Sequence, residues 1–252
     1  MRSWFALPLA AFALPAVACA ASEPERAPDG APDRAPDQAA ERRRMAMQVE
    51  NLLATSGARA GTQLSRPIAE ALRRVPRHLF VPEALRADAY QDRPLPIGHE
   101  ATISAPTIVA LMTQLLDVSP EHRVLEVGTG SGYQAAILSG LVRHVYSIEI
   151  VEPLAASAAT RLAALGYANV TVRAGDGYAG WPEHAPFDRI VVTAAAPHVP
   201  QPLVDQLRPG GRMVIPVGAG EDEQLMLIVK DVRGRVSRRA ILPVRFVPLV
   251  RG

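Results

Sequence analysis

Residues Arg123-Val124-Leu125-Glu126-Val127-Gly128-Thr129-Gly130-Ser131-Gly132-Tyr133 constrain the fold of this chain more than any other stretch. An apolar run of strand length ends in glycines at alternate positions, and a helical pattern follows from Tyr133. Such glycines let the backbone turn sharply and approach a ligand that side chains would exclude. Glu149 follows about 20 residues on, where nucleotide-binding α/β folds carry a ribose-binding carboxylate. It closes the next apolar run, His144 to Ile148. The dinucleotide fingerprint G-x-G-x-x-G needs glycine at 133, and Tyr133 stands there instead. That argues against a nicotinamide-dependent oxidoreductase.

The flanking pattern alternates strand and helix. Strands are expected near 123–127, 144–149, 170–173, 188–193 and 212–216, and helices near 133–141, 153–165 and 200–207. This predicts an α/β fold, doubly wound around a mostly parallel sheet. Helices are also expected upstream: Glu41 to Leu53, Ser65 or Arg66 to Val75, and Pro106 to Leu116 with proline at its first turn. Gln224 to Val232 is β-like, Gly234 turns the chain, and Arg235 to Val250 holds more strand broken by Pro243 and Pro248. Antiparallel pairing at a sheet edge is expected there.

The N-terminus is of a different kind. Met1-Arg2-Ser3 is a short basic start, Trp4 to Ala18 is apolar, and Ala16-Val17-Ala18 precedes Cys19, the only cysteine. Residues 1–21 therefore read as a secretory leader, with Cys19 as the one route to a lipid anchor. A lone cysteine excludes a disulfide framework and a thiolate metal site. Residues 22–44 begin with repeats of Ala-Pro-Asp and read as a disordered tether. Residues 45–252 form the single expected domain, and the 48% hydrophobic content supplies its core. The leader makes an exported, periplasmic or lipid-anchored location the expectation. A net charge of +2 gives no case for a nucleic-acid surface.

Ligands of such sheets bind outside the carboxyl ends of the strands. Gly128 to Gly132, Glu149, Asp176-Gly177 and Thr193 fall there in register. Asp176 could accept from an adenine amino group or could form an Asx turn before Gly177. The six histidines (78, 99, 122, 144, 184 and 198) lack metal-ligand spacing, and no G-x-S-x-G elbow occurs. The G-x-G-x-G pattern behind Glu126 resembles the first motif of S-adenosylmethionine-dependent methyltransferases. S-adenosylmethionine has no phosphate, so a loop without a phosphate-binding lysine suits it. Asn-Pro-Pro-Tyr, which supports methylation of amide or exocyclic nitrogens, is absent after the fourth strand, where Thr193-Ala194-Ala195-Ala196-Pro197 stands.

The segments that identify the acceptor lie elsewhere. They are Leu95-Pro96-Ile97-Gly98-His99-Glu100-Ala101-Thr102-Ile103-Ser104-Ala105-Pro106, Arg74 to Pro82, Gly175-Asp176-Gly177, Ala185 to Asp188, and Val244-Arg245-Phe246-Val247-Pro248-Leu249. Together they resemble the protein-L-isoaspartate (D-aspartate) O-methyltransferase family over residues 45 to 251. The resemblance implies an enzyme that esterifies isoaspartyl and D-aspartyl residues of damaged proteins, acting as a monomer in the cytoplasm. It implies Ser104 as the active-site serine. It places cofactor contacts at His99, Gly128, Thr129, Gly130, Gly132, Glu149, Asp176 and Gly177, and substrate contacts at Thr102, Ile103, Thr193 and Val247. The family usually has Gly-Gln or Gln-Gln before Thr-Ile-Ser and Gln after it. Here Glu100-Ala101 precede and Ala105 follows. Ser104 has a plainer alternative role as the N-cap of the helix from Pro106. The final strand, around Val244 to Val250, is the expected surface for pairing with an extended peptide. A leader on a cytosolic repair enzyme is unusual, and a tethered binding module for damaged envelope proteins is the alternative from another class.

Overall fold

The central parallel strands of this chain read as near-continuous apolar runs because helices cover both their faces. The computed structural model describes residues 38–55 and 63–252. The leader, Cys19 and the tether as far as residue 37 lie outside the described residues. Seven strands form the main sheet: β3 (Arg123–Val127), β4 (His144–Glu149), β5 (Val170–Ala174), β6 (Phe187–Val192), β7 (Leu207–Val217), β8 (Gln224–Lys230) and β9 (Val236–Pro243). Their order is β5-β4-β3-β6-β7-β8-β9, and β1 (Leu95–Gly98) and β2 (Ala101–Ile103) form a separate hairpin. Pairs from β5 through β7 are parallel, whereas β7–β8 and β8–β9 are antiparallel. The doubly wound sheet and its antiparallel C-terminal edge are thus those expected.

Alternate residues of one strand serve two cores. Val124 of β3 packs with α1 (Gln38–Thr55), α2 (Arg66–Arg74), α3 (Pro106–Leu116) and α4 (Tyr133–Ser139). Leu125 and Val127 face the other way, toward Leu203 and Val204 of α6 (Gln201–Gln206) and Trp181. Between β4 and β5 runs α5 (Glu152–Ala164), with Leu162 in the first core. Met45, Val49 and Leu53 recur on one face of α1, the i, i+4, i+8 stripe that buries an amphipathic helix.

Several stretches differ from expectation, among them the start of β7 at Leu207 in place of 212. Residues 38–44, assigned to the tether, are helical, because α1 begins at Gln38. The compositional break falls where the proline repeats stop, before Gln38-Ala39-Ala40-Glu41. Residues 244–250 are not a strand, since β9 ends at Pro243. The chain instead crosses to the end of β6, where Val247 O accepts from Ala195 N at 2.8 Å and Leu249 N donates to Ala195 O at 2.7 Å. The β1–β2 hairpin was not read from the sequence. His99 (φ 51°) and Glu100 (φ 58°) form its two-residue left-handed turn, at a cost of roughly 1–2 kcal/mol for each non-glycine residue.

Below the glycine turn, Glu126 is fully buried. Burial pushes its carboxyl up to about 8; a hydrogen bond from Ser147 opposes the shift and the neighbouring Glu149 adds to it. The folded value exceeds the unfolded one, so the folded chain binds the extra proton. The stability tied to this group is fully present below the ordinary value of 4.5 and is lost as pH rises through about 8. Glu126→Gln keeps the shape and removes the titration. Its melting temperature should therefore fall less than that of the wild type between about pH 6 and about pH 9. Parallel curves for the two proteins would show that Glu126 does not titrate in this window.

Candidate active site

From β3 the chain steps outward through β4 to β5, then returns to lay β6 on the opposite side of β3. Neighbouring strands that lead away in opposite directions leave a crevice at their carboxyl ends, the topological switch point. The backbones stay pinned there. Thr193 N donates to Val127 O at 2.9 Å, and Thr193 Oγ1 donates to Gly128 O at 2.6 Å. Gly128 has φ 96°, and a Cβ at this residue would collide with Thr193 Oγ1. Glycine is thus required twice over at this position, by conformation and by space. Gly132 opens α4 at φ 88°, where a Cβ would press on Leu162 of α5 at 3.1 Å.

The turn rests on β4. Gly128 N donates to Ile148 O at 2.8 Å. Glu149 accepts from Gly130 N at 2.8 Å through Oε2 and from Val151 N at 3.0 Å through Oε1. Each carboxylate oxygen keeps lone-pair capacity for a ligand. The Thr129 hydroxyl lies 2.6 Å from the Ser147 hydroxyl, which donates to Glu126 Oε2. Thr129 therefore donates to Ser147, and a chain of hydroxyls ties the turn to the buried acid.

A cavity of about 350 Å³ opens over this turn. Of the residues singled out on sequence, Thr129, Gly130, Glu149 and Gly177 line it beside Gly128, and so do His99, Thr102, Ile103, Ser104, Thr193 and Val247. Two do not. Gly132 sits beneath the turn against Leu162. Asp176 accepts from Tyr178 N at 2.8 Å and caps a 3₁₀ turn, which is the Asx alternative. The capping role for Ser104 is not what the structure contains: Ala105 is the N-cap residue of α3, and no side chain within that cap bonds it. The Ser104 hydroxyl makes no hydrogen bond among the described residues and lines the cavity. Thr193 lines it too, but its hydroxyl is committed to the turn.

Sequence reasoning missed Ile150, which also lines the cavity, as do Glu100 and Leu249. Ile150 could have been found from its place after Glu149. Among the described residues, no group of three or more His, Cys, Asp and Glu could hold a metal ion.

The arrangement fits S-adenosylmethionine. Turn glycines leave room for close backbone approach, Glu149 offers oxygens to a ribose diol, and no lysine for a phosphate lines the cavity. Residues 47–252 match the family model for protein-L-isoaspartate(D-aspartate) O-methyltransferase. The chain is 61% identical over 215 residues to protein-L-isoaspartate O-methyltransferase 2 of Syntrophobacter fumaroxidans, covering 84% of this chain and 87% of that one. It is 57% identical to protein-L-isoaspartate O-methyltransferase 1 of Cupriavidus necator, covering 83% of this chain and 82% of that one. Among solved structures, one named protein-L-isoaspartate O-methyltransferase superposes with a TM-score of 0.69 at 29% identity, covering 81% of this chain and 65% of that one. A Plasmodium falciparum protein of that description, solved with S-adenosyl-L-homocysteine, gives 0.68 at 25% identity, covering 82% of this chain and 99% of that one. Nothing in the fold or these comparisons supports a binding module without catalysis. A glycine turn pinned at the switch point and a serine across the same cavity agree with the family match, and the chain belongs to the protein-L-isoaspartate (D-aspartate) O-methyltransferase family.

Proposed function

We propose that this chain transfers the methyl group of S-adenosyl-L-methionine to the free α-carboxyl of isoaspartyl residues, and to the side-chain carboxyl of D-aspartyl residues, in damaged proteins. The observation that carries this reading is Ser104, a hydroxyl without a protein partner among the described residues on the wall of the cavity that Gly130 and Glu149 line. The family relationship supports it independently.

When bound, the cofactor supplies an electrophilic methyl on a sulfonium. Glu149 would accept from its ribose hydroxyls, and Thr129, Gly130 and Gly177 would line its binding site with backbone. On the acceptor side Ser104 donates to one oxygen of the substrate carboxylate, with Thr102, Ile103 and Val247 around it. A carboxyl with a pKa near 4 is already ionised at neutral pH, so no general base is needed. A C–O bond forms as the S–C bond breaks, and no proton is exchanged. The catalytic contribution of the protein is alignment and exclusion of water. The methyl ester then closes spontaneously to a succinimide, which reopens partly to normal aspartate.

The peptide substrate is held more by the cavity mouth than by a long strand pairing. Within 244–250, Val244 N donates to Glu223 O, Phe246 N to the Glu223 carboxylate and Leu249 N to Ala195 O, while Pro248 has no N–H. The N–H groups left for the peptide are those of Arg245, Val247 and Val250, too few for a long ladder, and loose sequence preference is expected. From the leader we place the protein outside the cytoplasm, periplasmic or lipid-anchored through Cys19, as a monomer. The cytoplasmic alternative rests on the family resemblance.

Ser104→Ala should leave S-adenosylhomocysteine affinity within about twofold of wild type and lower methyl transfer to an isoaspartyl peptide by about 100-fold. Retained transfer would remove Ser104 from the reaction. Glu149→Ala loses two charge-assisted backbone bonds and the ribose acceptor, and should weaken cofactor binding about 10- to 100-fold in calorimetric titration. Unchanged affinity would displace Glu149 from the cofactor site. Mass analysis of the mature N-terminus should find a chain starting at or near Cys19, lipidated or free. A full-length chain retained in the cytosol would overturn the exported location.

A further inference from the structure

The serine and the cofactor turn belong to different parts of the fold, so something must hold Ser104 in place from its own side. Two attachments are visible. One is the β1–β2 hairpin, where Ile103 pairs with Leu95. The other lies just beyond Ser104, at the start of α3. Helix N-termini leave backbone donors without partners, and Ala105 at the N-cap has no side-chain oxygen to offer. Asp92, from 15 residues upstream, takes that role. Its Oδ1 accepts from Thr107 N at 2.8 Å and its Oδ2 accepts from the Thr107 hydroxyl at 2.7 Å. Both carboxylate oxygens thus grip one residue, three positions after Ser104.

Asp92 is itself held. Arg77 is completely buried, and its guanidinium donates to Ala89 O at 2.8 Å and to Arg93 O at 3.4 Å, on either side of Asp92. The same guanidinium lies 4.9 Å from the centre of the Tyr133 ring, the first residue of α4 and a wall of the cavity. Arg77 also attracts the Asp92 carboxylate electrostatically. A rigid path therefore runs from the helix behind the glycine turn, through Arg77 and Asp92, to the residue that fixes the backbone after Ser104.

We propose that Asp92 is a positioning residue for methyl transfer: by pinning Thr107 it sets where the Ser104 hydroxyl stands relative to the bound cofactor. It touches neither cofactor nor substrate. The inference rests on the reaction assigned above, and a misplacement of about 1 Å far from the reacting atoms suffices to slow a positioned reaction. A mere helix cap would behave differently: losing it would lower stability and leave the turnover of the folded enzyme unchanged.

The test uses the full-length protein, an isoaspartyl peptide and S-adenosylhomocysteine. Asp92→Asn and Thr107→Val should each lower kcat for methyl transfer by about 10-fold, with S-adenosylhomocysteine affinity unchanged. Thr107→Ser, which keeps both bonds to Asp92, should restore kcat to within about twofold of wild type. Thr107→Val retains the N–H contact, so it reads the hydroxyl bond even where Asp92→Asn folds poorly. A wild-type kcat in folded Thr107→Val would overturn the proposal. So would equal losses in Thr107→Val and Thr107→Ser, or a fall in S-adenosylhomocysteine affinity matching the fall in kcat. Failure of the underlying reaction is separable, because the wild type itself would then transfer no methyl group.

Discussion

Thr193 reaches from the end of β6 to the carbonyl of Gly128, and two strands that have just shared a ladder part around that contact. This junction fixes the floor of the crevice. Only glycine fits opposite the threonine, so the turn after β3 approaches the neighbouring backbone more closely than any side chain would permit. The turn in turn sets the height of Gly130 over β4, where the Glu149 carboxylate accepts its N–H. The same junction brings in the C-terminal segment, since Ala195, two residues beyond Thr193, pairs with Val247 and Leu249. One crossover in strand order therefore assembles floor, cofactor carboxylate and substrate wall from segments far apart in the chain.

Two glutamates lie at this end of the sheet, and environment separates their roles. Glu126 has one oxygen on Ser147, another without a side-chain or backbone bond, and no exposed surface. Burial holds it toward its neutral form. Glu149 has a backbone N–H on each oxygen and opens onto the cavity. The neighbouring Glu149 carboxylate adds to the upward shift of Glu126, because two negative charges at this end of the sheet would repel each other. The Thr129–Ser147–Glu126 chain couples the deeper acid to the backbone of the turn.

The sheet was legible because its signals are local. Apolar runs bounded by glycine and proline gave each parallel strand to within a few residues, apart from the early start of β7 at Leu207, and Pro106 with its apolar spacing gave α3. The glycine turn and Glu149 were legible for the same reason. What escaped depends on tertiary context. His99-Glu100 lacks the Asn-Gly chemistry of a left-handed turn, so the hairpin carrying Thr102 to Ser104 went unread. Asp176 offered two readings, and its Oδ1 accepts from Tyr178 N in the Asx manner, a bond that only the folded turn reveals. Residues 244–250 have strand composition, but their partners turned out to be Ala195 and Glu223, which no periodicity reveals. The role of Ser104 came from family resemblance, not from spacing.

The two halves of the site differ in kind because the chemistry asks different things of them. The cofactor half must desolvate and hold a cation-bearing nucleoside, and it is built from a glycine turn, a carboxylate and the Thr193–Gly128 junction. The acceptor half receives a carboxylate that is already nucleophilic, so it has no proton to remove and no metal to hold. Its walls set apolar Ile103, Val109 and Val247 beside the Ser104 hydroxyl, with His99, Glu100 and Thr102 of the same hairpin also on the lining. The apolar part of that wall strips water from the carboxylate and strengthens its attraction to a sulfonium. Selection among carboxylates then falls to geometry: which backbone places its carboxyl within reach of a hydroxyl that stands between the β1–β2 hairpin and α3. The β-linked backbone of an isoaspartyl residue, with its α-carboxyl on a short free arm, meets that demand in a way the ordinary chain, with no free α-carboxyl, does not.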